Sequence, residues 1–247
     1  MKKVVIPLSG GCDSAVLLFK AMADTNVSEV HCIVFDYGQR HRQELVCARS
    51  LFKRANELFT KQSSIKEVNV QAIKDLAPTS SLTNDNIATP DIRKIAGEAQ
   101  PKSYVAFRNM IFLSLALSHA EAVGAVEVWH GATAVDSLSG YWDCDESFLT
   151  AMNQVAILNR EHKIEIVAPL IKSDKVAIIK QGVELRVPFA QTYTCYSGEE
   201  LADATTPSSS LRLQGFIGNK LQDPIRYKQQ EYLDKVYLQN GCKPLPY

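Results

Sequence analysis

Short runs of consecutive apolar residues alternate with longer segments whose apolar positions recur on successive helical turns, from Val4 to about Gln181. Runs of the first kind, rich in β-branched residues, read as buried strands. Five fit: Val4 to Leu8 (VVIPL), Glu29 to Phe35 (EVHCIVF), Ile65 to Val70, Val126 to Trp129 and Ile164 to Ala168. Between them, Ala15–Met22, Gln43–Leu58, Arg108–Val123, Ser147–Leu158 and Ser173–Gln181 read as helices, with Ser173 the expected N-cap of the last. Strands alternating with helices predict an α/β fold, a doubly wound and mostly parallel sheet.

Two stretches break the alternation. Residues 71–103 carry the polar run Thr79-Ser80-Ser81-Leu82-Thr83-Asn84-Asp85 and few aromatics, which predicts a long, partly mobile excursion. From about Val187 the chain reads as loop with one or two helices, closing on the irregular Lys243-Pro-Leu-Pro-Tyr247. The expected organisation is one α/β domain over residues 1–190 and a small C-terminal segment over 191–247, a division that suits a chain of 247 residues.

Composition narrows the function classes. Lys plus Arg and Asp plus Glu both number 27, so no basic excess marks a nucleic-acid binder. The six cysteines (12, 32, 47, 144, 195 and 242) include no C-x-x-C pair, which points to free thiols in a reducing compartment. The N-terminal apolar stretch is too short for a signal-peptide core, and Met110–Ala120 is interrupted by Ser114, Ser118 and His119. A cytoplasmic protein with no membrane association is expected.

The chemistry gathers at strand ends. Ser9-Gly10-Gly11-Cys12-Asp13-Ser14 lies between the first strand and the first helix, where unpaired helix N–H groups meet the ligand edge of a parallel sheet. Two glycines let backbone amides wrap around phosphate oxygens, and Ser9 and Ser14 add hydroxyls. Asp13 suits a ligand of phosphate-bound magnesium or an organiser of the loop. Its position in the loop predicts that replacing Asp13 or Ser14 costs no more than a lost cap, roughly 0.5–2 kcal/mol. The loop matches neither G-x-x-x-x-G-K-[ST] nor G-x-G-x-x-G, which argues against P-loop kinases and Rossmann dehydrogenases. Arg40, His41 and Arg42 follow the second strand directly, beside Asp36 and Tyr37. Lys175 could neutralise phosphate charge.

SGGCDS resembles the pyrophosphate (PP) loop of ATP pyrophosphatases, which cleave ATP between the α and β phosphates. FDYGQRH (Phe35 to His41), SSLT (Ser80 to Thr83), SGYWDCD (Ser139 to Asp145), APL (Ala168 to Leu170) with Lys175, and TYTCY (Thr192 to Tyr196) follow in order. At these spacings the chain is similar to the 7-cyano-7-deazaguanine synthases, the QueC family, from residue 1 to about 220. The resemblance implies an adenine nucleotide alpha hydrolase-like (HUP-type) fold and a two-step reaction on 7-carboxy-7-deazaguanine. ATP with Mg2+ adenylates the carboxylate, ammonia displaces AMP to give an amide, and a second ATP activates the amide for dehydration to the nitrile. It implies Asp13, Lys175 and Arg108 as catalytic residues and a homodimer. Leu8, Ser9, Gly10, Gly11, Asp13, Ser14, Asp36 and Tyr37 would bind ATP, and Arg40, His41, Ser80, Asn109, Asp136, Tyr141 and Asp143 the deazaguanine.

Three departures fall on the acceptor side. The family's zinc site takes one cysteine from T-x-T-C-Y and three from a downstream C-x-x-C-x-x-C; here Cys195 remains, but Asp203, Thr206 and Ser209 stand in the other places. Hydroxyls are poor zinc ligands beside thiolate, so no zinc is expected. Ala106-Phe107 replaces Pro-Gly before Arg108-Asn109, and Asp145 replaces the usual Arg. With the ATP loop intact, this pattern predicts retained adenylation with altered acceptor handling. QueC-like proteins also occur in phage-defence gene clusters, where a protein amine could replace ammonia and stop the reaction at a secondary amide. Two alternatives stand beside it: an inactive QueC-like subunit that binds a nucleotide or a partner, and a transfer-RNA modification ligase. The complete Ser9-Gly10-Gly11-Asp13-Ser14 set weighs against the first, zero net charge against the second.

Overall fold

The structure is a computed structural model that describes residues 1–40, 42–84, 86–88, 101–193 and 201–247. Five strands, β1 (Lys2–Pro7), β2 (Val27–Asp36), β3 (Gln62–Asn69), β4 (Glu127–Trp129) and β5 (Glu165–Val167), form one sheet in the order β3-β2-β1-β4-β5. Every pairing is parallel. The α/β reading of the sequence therefore holds. Successive strands step outward from β1 in both directions, so the order reverses between β1 and β4, where open parallel sheets place their ligand crevice.

Helices cover both faces because the strands are apolar on both. Side chains alternate along a strand, so Val4 and Ile6 of β1 enter one core with Val30, Cys32 and Val34 of β2. Val5, Ile33 and Phe35 enter the other. The first core is closed by α1 (Cys12–Ala23), α2 (Gln43–Leu58) and α7 (Lys175–Glu184), through residues such as Leu17, Leu51 and Ile178. The second is closed by α4 (Arg108–Val123) and α6 (Glu146–Ala156), through Leu113, Ala116, Phe148 and Met152.

Two local expectations change. Asp174, not Ser173, caps α7: its carboxylate accepts from the Ala177 amide at 2.7 Å. The polar run after residue 78 is in part a packed turn rather than a mobile excursion. Ser80, Ser81 and Thr83 are fully buried, and Leu82 joins Tyr37, Ile73, Ala77 and Val105 in a small cluster beside α3 (Ala72–Leu76).

The C-terminal segment contains α8 (Pro207–Gly218) and α9 (Gln230–Gln239) around its own cluster of Ala202, Leu213, Tyr227, Leu233 and Tyr237. Its deepest member is charged. Arg212 is fully buried, donates to both Asp223 oxygens at 2.6 and 2.8 Å, and reaches Thr192 Oγ1 at 2.6 Å and Cys12 Sγ at 2.9 Å. One guanidinium thus ties α8 to the first residue of α1. No helix among the described residues is long and apolar enough to cross a membrane.

Candidate active site

At the β1/β4 reversal lies a cavity of about 220 Å³, lined by Ser9, Gly11, Asp13 and Ser14 from the loop after β1 and by His130 to Ala132 after β4. Asp136 of α5 (Ala134–Leu138), Tyr37, Glu44, Arg108, Asn109 and Cys144 complete the polar wall. The loop owes its shape to Gly10, whose φ of +85° lies in the left-handed region. A Cβ there would meet the Glu44 carbonyl oxygen at 2.3 Å, so the missing side chain lets α2 pack directly onto the loop. Ser9 Oγ and Ser14 Oγ lie 3.0 Å apart, and Ser14 Oγ donates to the Gly11 carbonyl at 3.1 Å. The first-turn amides of α1 lack intrahelical partners, and Gly11, Asp13 and Ser14 put that turn on the cavity wall.

Asp13 is paired. Lys175, the first residue of α7, donates to both of its oxygens, at 2.7 and 2.8 Å. Burial pulls the Lys175 ammonium down, but the Asp13 and Asp136 carboxylates outweigh it, and the net shift is upward. Burial pushes Asp136 up, with Asp13 adding to the effect, although Thr133 donates to Asp136 Oδ2 through its amide at 3.1 Å and its hydroxyl at 2.7 Å. The expectation that an Asp13 substitution costs no more than a cap therefore fails. Removing this carboxylate takes both hydrogen-bonded oxygens from an ammonium only 12% exposed and leaves it the Asp136 charge.

Arg108 opens α4, at the helix end where the macrodipole disfavours a cation. Its Nη1 donates to Tyr37 Oη at 3.2 Å, and its guanidinium faces the Tyr37 ring at 5.4 Å. Asn109 Nδ2 reaches the Asp143 carbonyl at 3.3 Å and Cys144 Sγ at 3.4 Å. Burial raises the Asp143 carboxyl, and its Oδ1 is buried without a partner among the described residues.

The remaining expected residues stand away from the cavity wall. Asp36 accepts from Gln71 Nε2 and the Gly38 amide. Arg40 donates to the Ser81 and Ile87 carbonyls, fastening the turn rather than extending a basic cluster toward the ligand edge. Ser80 accepts from the Leu82 amide, Tyr141 Oη lies 2.6 Å from Ser103 Oγ, and Leu8 is core. His41 lies outside the described residues.

Glu44 and His130 were not singled out in the sequence. Burial drives His130 down to about 4, against a smaller upward pull from the Asp143 backbone, and Nε2 has no partner among the described residues. Burial raises Glu44 to about 7, partly offset by Arg108. His130 ends β4 at the sheet reversal, a position the strand pattern alone could have flagged. Glu44 sits in the first turn of a helix, where an acidic residue is ordinary, and no signal marks it.

With this geometry in place, the comparisons are decisive for family. The family described as queuosine biosynthesis protein QueC matches residues 3–220. A 7-cyano-7-deazaguanine synthase of Clostridium kluyveri is 39% identical over 237 residues, covering 94% of this chain and 100% of the relative. The chain belongs to the QueC family. A second QueC relative, the 7-cyano-7-deazaguanine synthase of Nostoc punctiforme, is 42% identical over 232 residues, covering 91% and 99%. Among solved structures, NMN synthetase from Francisella tularensis superposes with a TM-score of 0.47 at 16% identity, over 97% of this chain and 75% of that one.

The departures from the QueC pattern acquire local reasons. Phe107, in the Gly position, adopts φ 53°, a left-handed conformation that an L-residue holds at roughly 1–2 kcal/mol. Its amide donates to Tyr104 Oη at 3.0 Å, and its ring meets Trp142 edge-on at 5.5 Å. Asp145 is the N-cap of α6, accepting from the Ser147 amide at 2.8 Å. In the zinc region, Asp203 accepts from Thr205 and Gln229, and Thr206 Oγ1 donates to the Asp203 carbonyl. Ser209 Oγ is buried without a partner among the described residues, and Cys195 lies outside them. One carboxylate and two hydroxyls do not make a thiolate zinc site.

Proposed function

We infer that the chain is an ATP-dependent carbon–nitrogen ligase that forms AMP and pyrophosphate, adenylating 7-carboxy-7-deazaguanine and passing it to a nitrogen nucleophile. The observation that carries this reading is the cavity at the sheet reversal, where a glycine loop, a helix N-terminus, the Asp13–Lys175 pair and Arg108 converge. A carboxylate is a poor electrophile; its mixed anhydride with AMP is a good one. The first-turn amides of α1 with Ser9 and Ser14 hold phosphate oxygens, and Lys175 and Arg108 balance charge that develops at phosphorus. A Mg2+ would be held by Asp13 and Asp136, the two carboxylates of the phosphate side, and would neutralise phosphate charge. The cavity is smaller than the roughly 300–1,000 Å³ of sites that enclose a drug-sized molecule. It suits the reacting ends of the two substrates. The residues at 203, 206 and 209 favour a chain that works without zinc.

A protein amine is a second acceptor reading, favoured by exposed aromatic surface beside the entrance. Phe107 and Trp142 are 52% and 42% exposed, and each lies within two residues of the cavity wall. The test incubates the protein with ATP and 7-carboxy-7-deazaguanine, with and without ammonium, and resolves nucleotides, bases and protein by mass spectrometry. AMP and an amide or nitrile are expected. ADP and phosphate as products would refute the ligase reading, and full conversion to nitrile with ammonium alone would remove support for a protein acceptor.

A further inference from the structure

Transfer from an acyl adenylate to nitrogen leaves a surplus proton on the amine, and the cavity holds few groups able to accept it. Asp13 has both oxygens engaged by Lys175. Asp136 is held by Thr133 in the field of Lys175. His130, at about 4, is too weak a base near neutrality. Glu44 differs from all three. It faces the same cavity from α2, within reach of the loop because Gly10 lets the two backbones touch. It also borders a smaller, mostly apolar cavity of about 50 Å³ with Pro7, Leu8, Val34, Phe35 and Phe112, where burial disfavours its charged form. Among the described residues no donor reaches that carboxylate. The groups that feel it are Arg108 from α4, Tyr37 at the end of β2 and Cys47 on its own helix.

We propose that Glu44 is the proton acceptor for the attacking nitrogen, an assignment that rests on the ligase reading above. The amine lone pair forms the C–N bond, the C–O bond to AMP breaks, and AMP departs with the electron pair. The proton released from nitrogen passes to a Glu44 oxygen and from there to water when AMP leaves. Burial without full neutralisation by Arg108 brings the carboxyl to about 7, where it is both ionised in part and basic enough to take a proton. Arg108 keeps the ionised form available, and its own bond to Tyr37 keeps it oriented.

The experiment separates the two half-reactions in the full-length Glu44→Gln protein. Exchange of labelled pyrophosphate into ATP, dependent on 7-carboxy-7-deazaguanine and run without amine, reads adenylation; single-turnover amide formation reads transfer. The Gln variant is expected to keep exchange within about 3-fold of wild type, while transfer compared at equal free NH3 falls about 100-fold and loses the rise near neutrality that remains once ammonium deprotonation is divided out. Hydroxylamine, a weaker base whose N-protonated adduct gives its proton to water more readily, is expected to lose less than about 10-fold. Equal losses in exchange and transfer, or a transfer profile at equal free NH3 whose pH dependence survives in the variant, would overturn the assignment. A wild-type protein with no substrate-dependent exchange would instead overturn the ligase reading, so the two failures are distinguishable.

Discussion

Replacing Asp223 by alanine tests whether the buried ion pair holds the C-terminal segment to the glycine loop. Arg212 and Asp223 side chains are both 0% exposed, with bonds at 2.6 and 2.8 Å, and Tyr227 Oη donates to the same carboxylate at 2.7 Å. Burial opposes the Arg212 charge, and Asp223 is the largest influence in its favour. Without that carboxylate the guanidinium keeps, among its partners in the described residues, Thr192 Oγ1, the Phe189 carbonyl and Cys12 Sγ, none of which as a neutral group carries a full negative charge. Removing one partner of a buried pair costs about 3–5 kcal/mol, a large share of the roughly 5–15 kcal/mol that holds a domain folded. At about 2–4 °C per kcal/mol for a chain of this size, the melting temperature should fall by roughly 6–20 °C. Differential scanning calorimetry reads it directly. Replacing both partners with apolar residues, Arg212→Met with Asp223→Leu, should recover most of the loss because no charge is then stranded. A fall of under about 3 °C in Asp223→Ala would refute the reasoning, since only a hydrated or otherwise neutralised Arg212 could tolerate it.

Three further predictions follow from the same contacts. Gly10→Ala must accept φ +85° and a Cβ 2.3 Å from the Glu44 carbonyl, so it should lose more than about 2 kcal/mol in urea unfolding and lose ATP binding by calorimetry. Asp145→Ala removes the α6 cap and should cost about 1 kcal/mol, while Asp145→Asn stays within a few tenths. His130 is lowered by burial from 6.5 to about 4, so the unfolded chain binds the extra proton first; the stability it confers is complete above 6.5 and is lost as pH falls toward 4. His130→Gln should remove that slope, a difference of about 3 kcal/mol between pH 7 and 4 measured by urea titration at each pH.

Strands buried on both faces announce themselves as unbroken apolar runs, because each side chain meets a core whichever way it points. The last four residues of EVHCIVF are such a run, and β2 forms there, with Cys32 and Val34 in one core and Ile33 and Phe35 in the other. The glycine loop was equally legible, since its place between the first strand and first helix follows from local order along the chain. Partners that meet only in space were not. Asp13 and Lys175 are 162 residues apart, and nothing local in either stretch says that a helix N-terminus will bring an ammonium onto a loop carboxylate. Arg40 read as part of a ligand-edge cluster, yet packing turned its guanidinium onto the Ser81 and Ile87 carbonyls. Glu44 is an ordinary helical glutamate until Gly10 admits α2 against the loop and its carboxyl comes to lie beside Leu8, Val34 and Phe112, where burial raises it. Sequence determined the sheet and the loop through local periodicity; the acid–base character of the site depends on desolvation and charge proximity, which exist only after distant elements pack.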